Sequence, residues 1–132
     1  VPYRTEWSIF HEDSGVAGQL DLLLKNETTG GFVLCDHKCV ASLDRVAFGN
    51  KTGFAPFDDL PDTNFYHYSV QQNIYSWILK EKYDIVVERM ILLHVHGTKE
   101  TYTVEEVAFM HDKIALIMTD RKAGKKRKQY NA

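Results

Sequence analysis

The fold is decided by residues 16–38, which read VAGQLDLLLKNETTGGFVLCDHK. Two apolar runs of strand length, residues 16–25 and 32–38, flank a polar segment with two glycines, and this pattern is typical of a β-hairpin. Each run contains one acidic residue, Asp21 or Asp36, among apolar neighbours. An ionised carboxylate away from water is costly unless it is paired or binds a cation. We therefore predict two neighbouring strands whose lone acids belong to a functional site.

The hydrophobic pattern of the remaining sequence predicts an α/β domain of the mixed α+β kind. We expect a strand at residues 7–11, an irregular loop at 39–63, a helix at 64–83, strands at 86–96 and 101–104, and a last helix at 105–119. The resulting order, βββαβ(β)α, implies a central mixed sheet of about four to five strands flanked by helices.

The composition is that of a single globular domain with a basic end. The chain has 132 residues, of which 44% are hydrophobic and 12% aromatic, and a disordered segment would contain fewer apolar side chains. We assign residues 1–121 to the domain and residues 122–132 to a basic C-terminal tail, since that segment has five Lys or Arg residues and no acid. The net charge is −2 and would be −7 without the tail. An acidic domain of this kind suits an enzyme whose acids bind cations.

Nothing in the sequence indicates secretion or insertion into a membrane. The sequence has no signal-peptide pattern and no apolar run near the roughly 20 residues that cross a bilayer. Cys35 and Cys39 do not form a disulfide framework, so we expect reduced thiols. We expect an intracellular protein, in the cytoplasm or the nucleus, and we leave open whether it acts within a larger polypeptide or as a homo-oligomer.

The third predicted strand places an acid and an amine on one face. Side chains alternate across a strand, so Asp36 and Lys38 share a face while His37 points to the other. If the hairpin brings Asp21 near Asp36, and the first strand adds Glu6, three carboxylates and one ammonium converge. Hard oxygen ligands of this kind suit one or two Mg²⁺ or Mn²⁺ ions. The set is therefore typical of metal-assisted phosphodiester hydrolysis.

Four motifs resemble those of the PD-(D/E)XK nuclease superfamily, which has a restriction-endonuclease-like core. The pattern E…GxxD…(D/E)xK is matched by Glu6, by Gly18 with Asp21, and by Asp36 with Lys38. The predicted helix adds Gln71 and Tyr75, which match the QxxxY motif of the exonuclease-like branch. That branch includes nuclease domains of bacterial recombination helicases and of CRISPR adaptation enzymes. The resemblance covers residues 4–95 and extends to viral and phage nuclease domains.

The resemblance implies a role for each matched residue. Asp21 and Asp36 would be the principal metal ligands, with Glu6 as a further ligand or water-holding group and the backbone carbonyl of His37 facing the metal. Lys38 would be the catalytic lysine. On the predicted helix, Gln71 and Tyr75 would position the scissile nucleic-acid strand. The family usually has a helix before the first acid, and its motif seldom has histidine at the position of His37.

Three functions are consistent with these motifs. The QxxxY match favours a metal-dependent exonuclease acting on DNA. The alternative enzyme is an RNA endonuclease of the viral polymerase-associated type, which shares the acid, acid and lysine core. A catalytically inactive nuclease fold used for binding is the third, although the intact Asp21, Asp36 and Lys38 argue against it. His94 and His96 share a strand face, but without a third ligand at a telling spacing we expect a structural role and no zinc site.

Overall fold

The computed structural model describes residues 2–40, 43–45, 49, 51–53, 56–95 and 102–130, with the backbone alone for 121–130. Seven elements follow one another along the chain: β1 (Pro2–His11), β2 (Val16–Lys25), β3 (Phe32–Cys39), α1 (Asn64–Tyr83), β4 (Val87–Val95), β5 (Tyr102–Val107) and α2 (His111–Tyr130). The five strands form one mixed sheet in the order β1-β2-β3-β4-β5. The expected mixed α/β class with a central sheet and flanking helices is confirmed.

One of the four pairs of neighbouring strands is parallel, and the other three are antiparallel. β1, β2 and β3 are joined as an antiparallel meander, β3 and β4 are parallel, and β5 returns antiparallel to β4. A parallel pair needs a long crossover connection, and α1 supplies it between β3 and β4. This crossover brings α1 over β3, the strand that carries Asp36 and Lys38.

One hydrophobic core joins the sheet to both helices. The core residues include Leu23, Leu34, Met90 and Leu92 from the strands, Ile78 and Leu79 from α1, and Ile114 and Met118 from α2. All eight are at most 1% exposed. Burial of eight such side chains contributes roughly 1.5–3 kcal/mol each relative to exposure, which fixes α1 against the sheet.

Two buried amides on α1 set the position of this helix. The Gln72 amide donates to the carbonyl of Ile91 on β4, at 2.8 Å. The Asn73 amide donates to the carbonyl of Ala108 at 3.0 Å, and its oxygen accepts the amide N–H of Met110 at 2.7 Å. These bonds tie α1 to β4 and to the segment between β5 and α2. They hold the neighbouring residue, Gln71, at a fixed height above β3.

The expected boundaries hold for the hairpin and for α1 but not near the C-terminus. β2 and α1 match the predicted residues, whereas β1 begins earlier, at Pro2. The prediction of a helix from Glu105 is wrong, because β5 runs to Val107 and pairs with β4 up to Met90. The last helix begins at His111 and continues to Tyr130, so residues 122–130 of the basic tail belong to its backbone. The predicted strand ends at His96 and Thr101 lie outside the described residues.

The pairing of β2 with β3 is described from Lys25–Phe32 to Leu22–Cys35. Beyond that pair, β1 still accompanies β2 to Val16, and β4 accompanies β3 to Cys39. Asp21 and Asp36 are the next residues on the two strands. The hairpin therefore places both acids at the point where its ladder ends. Within the described parts of the chain, neither helix is apolar enough over its length to cross a membrane.

Candidate active site

Asp21 and Asp36 are in direct contact. A hydrogen bond between their carboxyl groups lowers the pKa of Asp21 and raises the pKa of Asp36. The backbone N–H of His37 donates to Asp21 Oδ2 at 3.0 Å and to Asp36 Oδ1 at 3.1 Å. The Asp21 carboxylate thus accepts a hydrogen bond from the β3 backbone just beyond the last described backbone pair of β2 and β3. This bond fixes the two acids side by side across the end of the hairpin.

The two carboxyl groups have different environments and therefore different proton affinities. Burial, followed by the hydrogen bond to Asp21, raises the pKa of Asp36 to about 6. The hydrogen bond from Asp36 lowers the pKa of Asp21, and the His37 N–H and the Lys38 charge act in the same direction against burial. Two carboxyl groups in contact do not readily ionise together. The pair therefore holds one proton on Asp36 in acidic solution and loses it near neutral pH.

Lys38 lies against Asp36, on the face predicted by strand alternation. Its Nζ is 3.0 Å from Asp36 Oδ2, and the side chains of Lys38 and Asp36 are 23% and 13% exposed. Nζ is also 3.5 Å from Gln71 Oε1 on α1. A third neighbour is Tyr68, whose ring centroid is 4.5 Å from Nζ. The ammonium thus lies between β3 and α1.

The two residues of the QxxxY motif meet each other and reach the hairpin. Gln71 Nε2 donates to the hydroxyl of Tyr75 at 3.1 Å, one helical turn away. The Tyr75 ring lies over Gly18, where an added Cβ would come to 2.6 Å from Cζ. A side chain at position 18 would displace the ring. This close approach gives a physical reason for a glycine three residues before Asp21.

A continuous set of contacts therefore links all but one of the predicted side chains. Asp21 contacts Asp36, Asp36 contacts Lys38, Lys38 contacts Gln71, and Gln71 contacts Tyr75. The hairpin supplies the charged groups and α1 supplies the polar ones. The arrangement can bind a cation at the acids and place a cationic and an amide group beside it.

Glu6 lies opposite Asp21 on the neighbouring strand, but no described side-chain contact joins it to this set. Thr5 pairs with Leu22 and Trp7 with Leu20, so Glu6 lies on β1 beside Asp21 in register. However, Glu6 is exposed and has φ of 47°, a left-handed conformation that interrupts side-chain alternation. Its carbonyl accepts a hydrogen bond from Gln19 at 3.1 Å. Over the residues described, no three His, Cys, Asp or Glu side chains lie close enough together to hold a metal.

The acid pair nevertheless fits a hard divalent cation. Asp36 Oδ2 is buried, its contact being the ammonium of Lys38, and Asp21 is exposed beside it. Mg²⁺ is commonly held by one or two carboxylates together with water and substrate phosphate oxygens. Asp21 and Asp36 would supply the carboxylates, and the His37 carbonyl remains a predicted ligand. The side chain of His37 is exposed, and its place on the face opposite Asp36 stays a prediction from strand alternation.

Two further groups lie near the site, one whose contact was not anticipated and one whose structural role was. The sequence motifs assign Tyr68 no role at the site, yet its ring contacts Lys38. Its position three residues before Gln71, on the same helical face, was the available signal. His94 is 4% exposed and its Nε2 lies 2.8 Å from the carbonyl of Val40, which supports the structural role. His96 lies outside the described residues.

Comparisons with known proteins identify no family but do find a distant structural neighbour. No family model matches the sequence, and no curated protein matches it. Among solved structures, the crystal structure of SSO0001 is similar with a TM-score of 0.45 and 17% sequence identity. The match covers 80% of this chain and 39% of that one, so the chain spans well under half the length of that neighbour.

Proposed function

We propose that the chain is a Mg²⁺- or Mn²⁺-dependent nuclease domain that hydrolyses phosphodiester bonds in DNA, acting as an exonuclease. The observation that carries the proposal is the contact of Asp21 with Asp36, with Lys38 held 3.0 Å from the latter. Two adjoining carboxylates and one amine are the groups that cation-assisted hydrolysis needs in one place. The match of all four motifs supports the same reaction.

The acidic residues would hold the cation, which lowers the pKa of water and neutralises charge on the phosphate. Asp21 is the more exposed acid and stays ionised, since the hydrogen bond from Asp36 keeps its pKa low. Asp36 is shielded and, as an anion, lies beside Lys38. Lys38 can hold a hydrogen bond to the attacking water or to a phosphate oxygen. Its contacts with Tyr68 and Gln71 limit the volume in which it moves.

Gln71 and Tyr75 would bind the nucleic-acid strand beside the acids. Both are half-buried and hydrogen-bonded to each other, so a phosphate or sugar oxygen would meet donors already held in place. Preorganised donors lose less rotamer entropy on binding than free side chains. We therefore expect substitutions here to weaken substrate placement more than cation binding.

The proposal is tested by cleavage of end-labelled single- and double-stranded DNA and RNA with Mn²⁺, Mg²⁺ or a chelator. We expect cation-dependent release of mononucleotides or short products from a DNA end, and none from the Asp36→Asn variant. Glu88 gives a matched control because it is an exposed acid bonded to Asn26 and Thr29, and Glu88→Gln should cut as the unchanged protein does. Activity that survives in Asp36→Asn would show that a contaminant or another site is responsible.

The same experiment separates the two other candidates. Internal cuts in RNA, with DNA left intact, would favour the viral polymerase-associated type of endonuclease. Cation-independent binding of nucleic acid without any cleavage would favour an inactive fold that serves for binding. Asp21 and Asp36 are in contact and intact, which supports the active alternatives.

A further inference from the structure

The ammonium of Lys38 has three neighbours of different kinds. Asp36 Oδ2 is 3.0 Å away, Gln71 Oε1 is 3.5 Å away, and the centroid of the Tyr68 ring is 4.5 Å away. The carboxylate belongs to the same strand as Lys38. The other two neighbours belong to α1 and are three residues apart on one helical face. Lys38 is thus held between an anion that also serves the cation site and a neutral surface that does not.

The anion cannot serve both purposes with full effect. When Asp36 engages a divalent cation, its attraction for Lys38 falls, and the added positive charge repels the ammonium. Lys38 has a flexible four-carbon stem and several rotamers, so it would then turn toward solvent unless another contact held it. Of the two contacts left, the Gln71 oxygen is at the long limit of a hydrogen bond.

The aromatic ring is the stronger of these two contacts. A cation within about 6 Å of an aromatic centroid is attracted to the ring face, more strongly where water is excluded. The Lys38 side chain is 23% exposed, so most of it is shielded. A cation bound by the acids would not use the Tyr68 ring as a ligand, so the ring face stays available to the ammonium. The contact therefore survives the change that weakens the ion pair.

We propose that Tyr68 is a positioning residue that retains the Lys38 ammonium beside the acids when Asp36 is engaged by a divalent cation. The ring face carries this role and the hydroxyl does not. Its consequence for catalysis rests on the proposed nuclease function, whereas the contact itself can be tested on a protein that cleaves nothing.

The contact is tested by the NMR signals of the Lys38 Hε protons, assigned with Lys38→Arg, in the full chain with and without MgCl₂. A ring face shifts protons above it upfield. Tyr68→Phe should keep this shift in both conditions, while Tyr68→Leu should lose it and show averaged rotamers in Mg²⁺. Tyr66→Leu is the matched control, since Tyr66 packs against Phe65. An unchanged Lys38 shift in Tyr68→Leu would refute the proposal.

Kinetics then measure what the contact contributes. In single-turnover cleavage at saturating substrate, Tyr68→Leu should be about 10-fold slower, corresponding to a cation–π contact of about 1.4 kcal/mol, and Tyr68→Phe should restore the rate. KM should change little, because Tyr68 is assigned no substrate contact. A wild-type rate in Tyr68→Leu would overturn the positioning role. If no variant, including the unchanged protein, cleaves nucleic acid, the nuclease proposal fails and the NMR result still decides the contact. Tyr68→Met replaces Tyr68→Leu should the latter not fold.

Discussion

Replacing Asp36 with asparagine should stabilise the cation-free protein while abolishing its response to cations. Burial, and then the hydrogen bond to Asp21, raises the pKa of Asp36 from 3.8 to about 6. A group whose pKa is raised by folding stabilises the fold below its unfolded value and loses that contribution as pH rises through the folded value. Wild-type stability attributable to Asp36 is therefore greatest below about pH 4 and is lost toward pH 6 and above.

The size of the effect follows from the shift. About two pKa units correspond to roughly 3 kcal/mol, which is an upper limit because Asp36 is partly accessible to water. Screening by solvent reduces the gain to about 1–2 kcal/mol. Asparagine resembles the protonated acid and can still donate to Asp21, so Asp36→Asn avoids the cost of ionisation. For a domain of this size we expect a melting temperature about 3–7 °C above wild type at neutral pH.

The assay is thermal or urea unfolding in a chelator across the range from acidic to slightly alkaline pH. The stability difference between Asp36→Asn and wild type should be near zero in acid and grow through pH 6. Asp59→Asn is the control of opposite sign, because its exposed carboxylate has a pKa lowered by Lys113. Added Mn²⁺ should stabilise wild type by mass action and leave Asp36→Asn unchanged. A variant that is less stable than wild type at neutral pH, or a difference independent of pH, would refute the reasoning.

Three further outcomes are expected. Lys38→Ala should keep Mn²⁺ affinity by calorimetry but slow single-turnover cleavage by about 10²–10⁴-fold, the scale for a group that assists proton transfer or stabilises charge; a wild-type rate at saturating substrate would make Lys38 structural. Gly18→Ala should displace the Tyr75 ring and reduce cleavage at least about 10-fold with Mn²⁺ affinity retained, and loss of cation binding instead would show a damaged hairpin. Removing residues 122–132 should weaken nucleic-acid binding and lower the slope of log affinity against log salt by up to about 4, measured by anisotropy, whereas an unchanged slope would show that the tail does not contact phosphates.

Local signals were sufficient where the pattern and the tertiary structure agree. The hairpin of residues 16–38 has two uniform apolar runs around a polar turn, and α1 has a sustained helical period. The end of β5 was not predictable in this way. Glu105 and Glu106 have weak strand propensity, but Arg45 bonds to Glu105 at 2.7 Å and Arg89 pairs with Glu106. These partners come from distant parts of the chain, so local propensity alone predicted a helix there.

The residues of the site that lie on the hairpin could be predicted from the sequence, whereas contacts that depend on other elements could not. Alternation alone places Lys38 beside Asp36, and the hairpin register adds Asp21. The position of the Glu6 side chain depends on the left-handed backbone conformation of Glu6 itself. This conformation favours glycine or asparagine and is not expected of glutamate. The contact of Tyr68 with Lys38 depends on the height of α1 over the sheet, which Gln72 and Asn73 set through bonds to other elements. Neither feature has a sequence pattern of its own.

The contacts at the acid pair also account for how the protein accommodates two neighbouring carboxyl groups without a cation. Two ionised carboxylates in contact would repel, and burying one of them adds a desolvation cost. The raised pKa of Asp36 lets it keep a proton in mildly acidic solution, and the Lys38 ammonium offsets its charge once that proton is lost. The fold thus tolerates the largely buried Asp36 because the carboxyl group is either protonated or paired with the Lys38 ammonium. A bound divalent cation could replace either the proton or the ammonium. A divalent cation would relieve the same desolvation and repulsion that raise the pKa of Asp36, so the lower stability predicted for the cation-free protein and the cation affinity proposed for the site have one physical origin.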